Sequence, residues 1–183
     1  MEGEYEEGAP VTVYKSDLSG KEWTKLAEIL PPEGVKNSDF HEPHIVELSN
    51  GRIFCGIRTH GKKAYRGSSV YTCYSDDKGK TWSVPKSNDI DGMPPHFCLH
   101  SSGALLMSVG KRNNKPFGEF VYVSHDDGET WPDVYVLRDD PISDDLGYPC
   151  TVELADGGLI TVYYQKHEDD WSTSLMYTKW SLK

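Results

Sequence analysis

The chain repeats itself, and the repeat restricts its fold more than any other feature. Residues 75–82 read SDDKGKTW and residues 124–131 read SHDDGETW, 49 positions further on (124 − 75 = 49). A second element keeps the same phase. In PHIVELSNG, PHFCLHSSG and PCTVELADG a proline (Pro43, Pro95, Pro149) stands eight residues before a glycine (Gly51, Gly103, Gly157). The unit therefore recurs at 52 and 54 residues (103 − 51; 157 − 103). The two octads follow the first two of these glycines by 24 and 21 residues (75 − 51; 124 − 103). A period of this size is the mark of a repeat architecture, in which each unit is one supersecondary element.

Within each unit the pattern is that of short strands. RIFCGIR, ALLMSVG and GLITVYYQ follow the glycines, and they are β-branched, aromatic or aliphatic and too short for typical helices. ALLMSVG is apolar on both faces, as a strand sandwiched between sheets must be. SSVYTCYS and EFVYVS then lead into the octads, SLMYTKW occupies the same place in the last unit, and DVYVL follows the octad tryptophan. Four short antiparallel strands in about 50 residues, repeated, predict an all-β fold made of β-propeller blades.

The expected organisation is the end of one blade over 9–30, a blade over 43–90, a blade over 94–140 and three strands of a last blade over 147–183. Near the start, SDLSGKEW (16–23) keeps the serine, glycine and tryptophan of the octad but has Leu18 and Glu22 where aspartate and threonine would stand. EWTKLAEILPP reads either as a turn or two of amphipathic helix or as an outer strand. The sum is roughly half of a six-bladed ring. A half ring exposes flat apolar faces and strand edges, so the expected partners are a missing N-terminal half of the propeller or a second copy of the chain.

Composition removes several classes of function. A net charge of −10 with no basic run argues against a nucleic-acid partner, which needs clustered lysine and arginine. No stretch nears the roughly 20 apolar residues that span a bilayer, so no membrane partner is expected. The acidic start MEGEYEEGAP lacks the positive charge and apolar stretch of a secretory signal, which suggests a cytoplasmic chain if Met1 is the native start. Cys55, Cys73, Cys98 and Cys150 have no close-paired spacing and read as free thiols without assigned chemistry. His41, Glu42 and His44 in HEPH tempt a metal reading. Pro43 favours an extended segment that points neighbours apart, so no metal or other cofactor is expected.

The pattern S-x-D-x-G-x-T-W, matched by Ser75, Asp77, Gly79, Thr81 and Trp82 and again by Ser124, Asp126, Gly128, Thr130 and Trp131, resembles the Asp-box, or bacterial neuraminidase repeat. Its residue types suit a turn: the carboxylate accepts backbone hydrogen bonds, glycine permits positive φ and the indole buries a large ring. The resemblance places this box on the rim away from a catalytic pocket. The whole chain resembles the C-terminal half of the sialidases, in which a glutamate, two arginines and a tyrosine occur in that order.

Carried over residue by residue, the resemblance makes Tyr148 of GYPCTVELADG a nucleophile and Glu42 its base. Arg58, 16 residues beyond Glu42 at the end of EPHIVELSNGRIFCGIR, would bind substrate. Arg112 in SVGKRNNKPFGEF is the candidate second arginine, with Lys115 a poorer substitute, and neither stands in a clear motif. His96 is a further substrate-binding candidate, and both it and Tyr164 could line the central channel. The chemistry is coherent, because an arginine fork holds a sialic acid carboxylate. That same carboxylate would repel a carboxylate nucleophile, and tyrosine replaces it in this family. The family's first arginine and its acid/base aspartate belong to the other half. Glu42 and Arg58 could equally form a structural cross-hairpin ion pair, and Tyr148 could cap a blade. The reading is thus a segment of a sialidase-like exo-glycosidase acting on a carbohydrate, inactive alone. Its rivals are a non-catalytic propeller that binds glycans or proteins and a truncated product with no activity of its own.

Overall fold

A computed structural model describes residues 8–60, 68–169 and 171–183. They form four antiparallel sheets in chain order. The first pairs β1 (Val11–Ser16) with β2 (Trp23–Ile29). The second runs β3 (Phe40–Glu47), β4 (Ile53–His60), β5 (Ser68–Ser75), β6 (Lys86–Ser87). The third runs β7 (Met93–Leu99), β8 (Leu105–Lys111), β9 (Gly118–Ser124), β10 (Asp133–Arg138). The fourth runs β11 (Leu146–Glu153), β12 (Leu159–Gln165), β13 (Ser174–Trp180). Among the described residues there is no α-helix; the ambiguous EWTKLAEILPP is strand β2 and the turn after it. This is an all-β propeller segment, with meandering blades joined through their first strands, β3 beside β7 and β7 beside β11.

Strand alternation builds the core between blades rather than inside one. Phe54 of β4 packs with Phe97, Leu105, Met107 and Val109 of the next blade. Cys55 and Ile57, one step along the same strand, face the preceding sheet with Ile29 and Phe40. On β8 the odd positions join the first of these clusters, and Leu106 joins Val121, Val123 and Leu159 on the other side. This is why ALLMSVG is apolar on both faces. Cys55 and Cys73 stand opposite one another across β4 and β5 as buried free thiols.

The octads close the turns after β5 and β9. Ser75 Oγ donates to Asp77 at 2.8 Å and accepts from Gly79 N–H, while Asp77 takes the Thr81 N–H at 2.8 Å and its hydroxyl at 2.7 Å. Ser124, Asp126, Gly128 and Thr130 repeat the pattern. Gly79 and Gly128 have φ of +85° and +90°, and a Cβ on Gly128 would lie 2.4 Å from the Phe54 ring. The degenerate octad also closes. Asp17 replaces the missing aspartate, accepting from Ser19 Oγ and from the N–H groups of Lys21 and Glu22, and Trp23 donates to the Gly20 carbonyl as Trp82 does to Gly79.

Candidate active site

The first strand of each blade breaks register at the same place. The shifts fall between His41 and His44 on β3, Met93 and His96 on β7, and Gly147 and Cys150 on β11. Each bulge holds a residue followed by proline, Glu42-Pro43, Pro94-Pro95 and Tyr148-Pro149, nine residues before the turn glycine. The expectation that HEPH would be extended fails at Glu42. Its φ is +47° and that of Tyr148 is +51°, a left-handed backbone that costs a non-glycine residue about 1–3 kcal/mol. A bulge re-aims a side chain, and here both side chains meet.

Tyr148 Oη donates to Glu42 Oε1 at 2.6 Å. Arg58 Nη1 donates to Glu42 Oε2 at 2.7 Å and lies 3.5 Å from the Tyr148 hydroxyl. Arg58 reaches them because its Cα partners that of His41 across the β3–β4 hairpin. Glu42 therefore has both oxygens filled, one by the tyrosine and one by the arginine.

Arg112, just past the end of β8, arrives from the neighbouring blade. Its Nη2 donates to the Leu146 carbonyl and, at 3.1 Å, to the Tyr164 hydroxyl. Its guanidinium carbon lies 5.6 Å from the centre of the Tyr148 ring, and the Tyr148 and Tyr164 rings stack at 6.1 Å. Gly147 makes room for it: a Cβ there would sit 2.6 Å from Arg112 Nη2. Sequence pattern alone left Arg112 and Tyr164 without a motif. Tyr164 gains its place because Gly147 pairs with it across β11 and β12, a register set by the bulge.

Lys115 lies elsewhere, with its ammonium 5.7 Å from the Phe117 ring centre. His96 is engaged between blades. Its Nδ1 accepts from the Thr151 N–H at 3.3 Å, just as His44 Nδ1 accepts from the Phe97 N–H at 3.2 Å one blade earlier. Its Nε2 lies 3.3 Å from Cys150 Sγ. These histidines tie each first strand to the next. Burial, helped at His96 by the His44 charge, lowers both pKa values, that of His96 to about 4.

Electrostatics set the resting protonation of the pair. Burial pushes the Glu42 carboxyl up, but hydrogen bonds from Tyr148 and Arg58 and the charges of Arg58 and Arg112 outweigh it, leaving the carboxyl below its ordinary pKa. The Tyr148 hydroxyl is pushed up, first by its hydrogen bond to Glu42, then by burial and the Glu42 charge, against the pull of Arg58. The pair rests as phenol and carboxylate. Moving the proton outright would cost more than the roughly 8 kcal/mol that separates ordinary tyrosine and glutamate. Among the described residues no group of three or more His, Cys, Asp or Glu side chains is placed to hold a metal ion.

The meandering blades, joined through their bulged first strands, form a segment of a β-propeller. A family profile described as a BNR repeat-like domain matches residues 1–140, and the chain belongs to that family. Similar solved structures share the fold. A protein of unknown function from Dyadobacter fermentans aligns with TM-score 0.82 at 23% identity, over 96% of this chain and 46% of its own. The NanB sialidase of Streptococcus pneumoniae aligns with TM-score 0.69 at 22% identity, over 95% of this chain and 28% of its own. An α-L-arabinanase of Penicillium chrysogenum, solved with arabinobiose, aligns with TM-score 0.72 at 16% identity, over 94% and 55%. The chain thus spans about half or less of the length of the first two. None of the curated protein sequences matches it significantly.

Proposed function

We propose that this chain is the nucleophile-bearing part of an exo-glycosidase that removes a terminal sialic acid, or a related sugar with a carboxylate on its anomeric carbon, with retention. The observation that carries the reading is the 2.6 Å hydrogen bond from Tyr148 to Glu42, with Arg58 on the other carboxylate oxygen. Fold alone does not choose the sugar, since sialidases and an arabinanase are both similar to the chain. The choice rests on side chains. Two arginines beside a tyrosine suit an anionic substrate that would repel a carboxylate nucleophile. In this reading Tyr148 attacks the anomeric carbon as the glycosidic bond breaks, Glu42 taking the phenolic proton while the leaving-group acid protonates the aglycone oxygen. Water, giving its proton to that same acid group, then displaces Tyr148, which takes its proton back from Glu42. Arg58 and Arg112 hold the carboxylate.

The leaving-group acid and a further arginine are supplied from the rest of the ring, by more chain or by a second copy. The last sheet supports this, because Val152, Leu175 and Tyr177 are 47%, 81% and 64% exposed, an apolar surface of the kind that neighbouring blades cover. The test is turnover of a fluorogenic sialoside by the complete ring, wild type against Tyr148→Phe. Loss of turnover in the variant supports the reading; equal rates overturn the role of Tyr148. Glycan binding by the wild type with no turnover would favour a non-catalytic propeller instead.

A further inference from the structure

Strand β9 carries a carboxyl group that no part of the proposed chemistry uses. Glu119 is fully buried, and neither of its carboxyl oxygens has a hydrogen-bond partner among the described residues. It shares a strand face with Val121 and Val123, which pack against Leu159 of the last sheet. It therefore points into the seam between that sheet and its own. Across β8 its pair is Gly110, and Arg112 follows two residues later on the same side of the hairpin. Such diagonal neighbours are within reach when the side chains are long. Gly110 puts no side chain between them, and the seam is tight there, since a Cβ on Gly110 would lie 2.7 Å from Gly147 Cα. Arg112 is the complementary orphan: its Nε is buried and unpartnered.

A carboxylate isolated from water is costly enough that the group keeps its proton instead. Burial pushes the Glu119 carboxyl up to about 9, against the pull of the Arg112 charge. Other titratable groups on the neighbouring strands are otherwise engaged. Arg138, opposite Glu119 on β10, is held by Asp140, and the Tyr163 hydroxyl on β12 by Thr178. Lys111 lies against Phe120, and Tyr148 and Tyr164 contact Arg112 itself.

We propose that Glu119 is the positioning residue of Arg112, a neutral acid behind the guanidinium that lets it reach into the sugar site and withdraws it on ionising. While Glu119 keeps its proton, the anion that Arg112 feels is the Glu42 carboxylate on the site side, and its Nη2 edge stays at Leu146 and Tyr164, facing the place of the substrate carboxylate. When Glu119 loses that proton to solvent, it becomes a second anion, behind the guanidinium, and the unpartnered Nε edge turns inward to it. The site then loses affinity for anions at alkaline pH. This rests on the reading of Arg112 as an anion-holding residue.

The experiment follows the ¹⁵N–¹H resonance of Arg112 Nε in the complete ring from pH 7 to 11, beside N-acetylneuraminate binding at pH 7 and 10. In the wild type the resonance is expected to titrate with a midpoint near 9. Affinity should fall about tenfold at pH 10, where about a tenth of the molecules remain competent. In Glu119→Gln, and in Glu119→Met if the glutamine variant folds poorly, both changes should vanish. A wild-type resonance that stays flat across this range, or one that titrates equally in the variants, overturns the proposal, and the wild-type titration needs no variant. If Arg112 follows Glu119 but N-acetylneuraminate binds at neither pH, the positioning stands and the anion-holding reading falls.

Discussion

Asp77 and Glu42 are both carboxylates at the ends of strands, each with its oxygens filled, and the difference lies in who fills them. Asp77 is satisfied by Ser75, Lys80 and Thr81, all within four residues of it. Glu42 is satisfied by Arg58 and Tyr148, 16 and 106 residues away. The first set forms wherever the octad forms, in any blade. The second exists only if three strands and a bulge on two of them are in place. What repeats residue for residue in this chain is self-sufficient and structural, whereas the proposed chemistry sits at bulges whose residues differ from blade to blade, at the opposite end of the same blades.

The largest effect that separates the two ends is on turnover. Tyr148→Phe in the complete ring is expected to lower kcat by roughly 10³-fold or more, as loss of a nucleophile does, while thermal melting stays within a degree or two of wild type. A large loss of stability with it would merge the two regions and sink the distinction. Next comes Gly147→Ala. Its Cβ would strike Arg112 Nη2 at a backbone φ of +125°, and KM for an anionic substrate is expected to rise about tenfold through loss of a charged hydrogen bond, with kcat less affected. A variant whose KM is unchanged would show that Arg112 does not hold the substrate.

At the rim the expected result is the reverse. Ser75→Ala removes a buried hydroxyl that bonds Gly79 and Asp77, costing about 1–2 kcal/mol in denaturant melts and leaving KM unchanged. A change of more than twofold in KM would break the comparison from the other side. The smallest effect is on pH dependence. Because His44 and His96 have lowered pKa values in the fold, their contribution is complete above the ordinary value of 6.5 and is lost as pH falls toward about 4. Melts from pH 7 to 4 should show this decline, reduced in His96→Gln, and an undiminished decline in the variant would remove His96 from the explanation.

Much of the fold was legible because its signals are local. Glycines, prolines and octads set the unit, and strand alternation foretold that β8 would be covered on both sides. The site was legible only in part. Glu42, Arg58 and Tyr148 stand in recognisable spacing, but a residue before proline ordinarily prefers extended backbone, so nothing local announces the left-handed turn that brings Glu42 to Tyr148. Arg112 acts from just beyond a strand, where no pattern constrains it, and Tyr164 depends on a shifted register. His96, a substrate-binding and channel candidate, has an interblade tie that no local pattern announced. Glu119 had a faint signal, a single charge inside the otherwise apolar GEFVYVS, but only the neighbouring strands reveal that it lacks a partner.

The three bulges, at Glu42, Pro94 and Tyr148, amount to a set of interchangeable sockets. Each of these three blades offers one position, just ahead of a proline, whose side chain is free to differ while that proline and the turn glycine eight residues beyond it stay constant. A ring built this way can change what its bulges present by exchanging single residues, without renegotiating how its blades adhere. The socket at Pro94 is the natural place to graft a third group beside the existing pair.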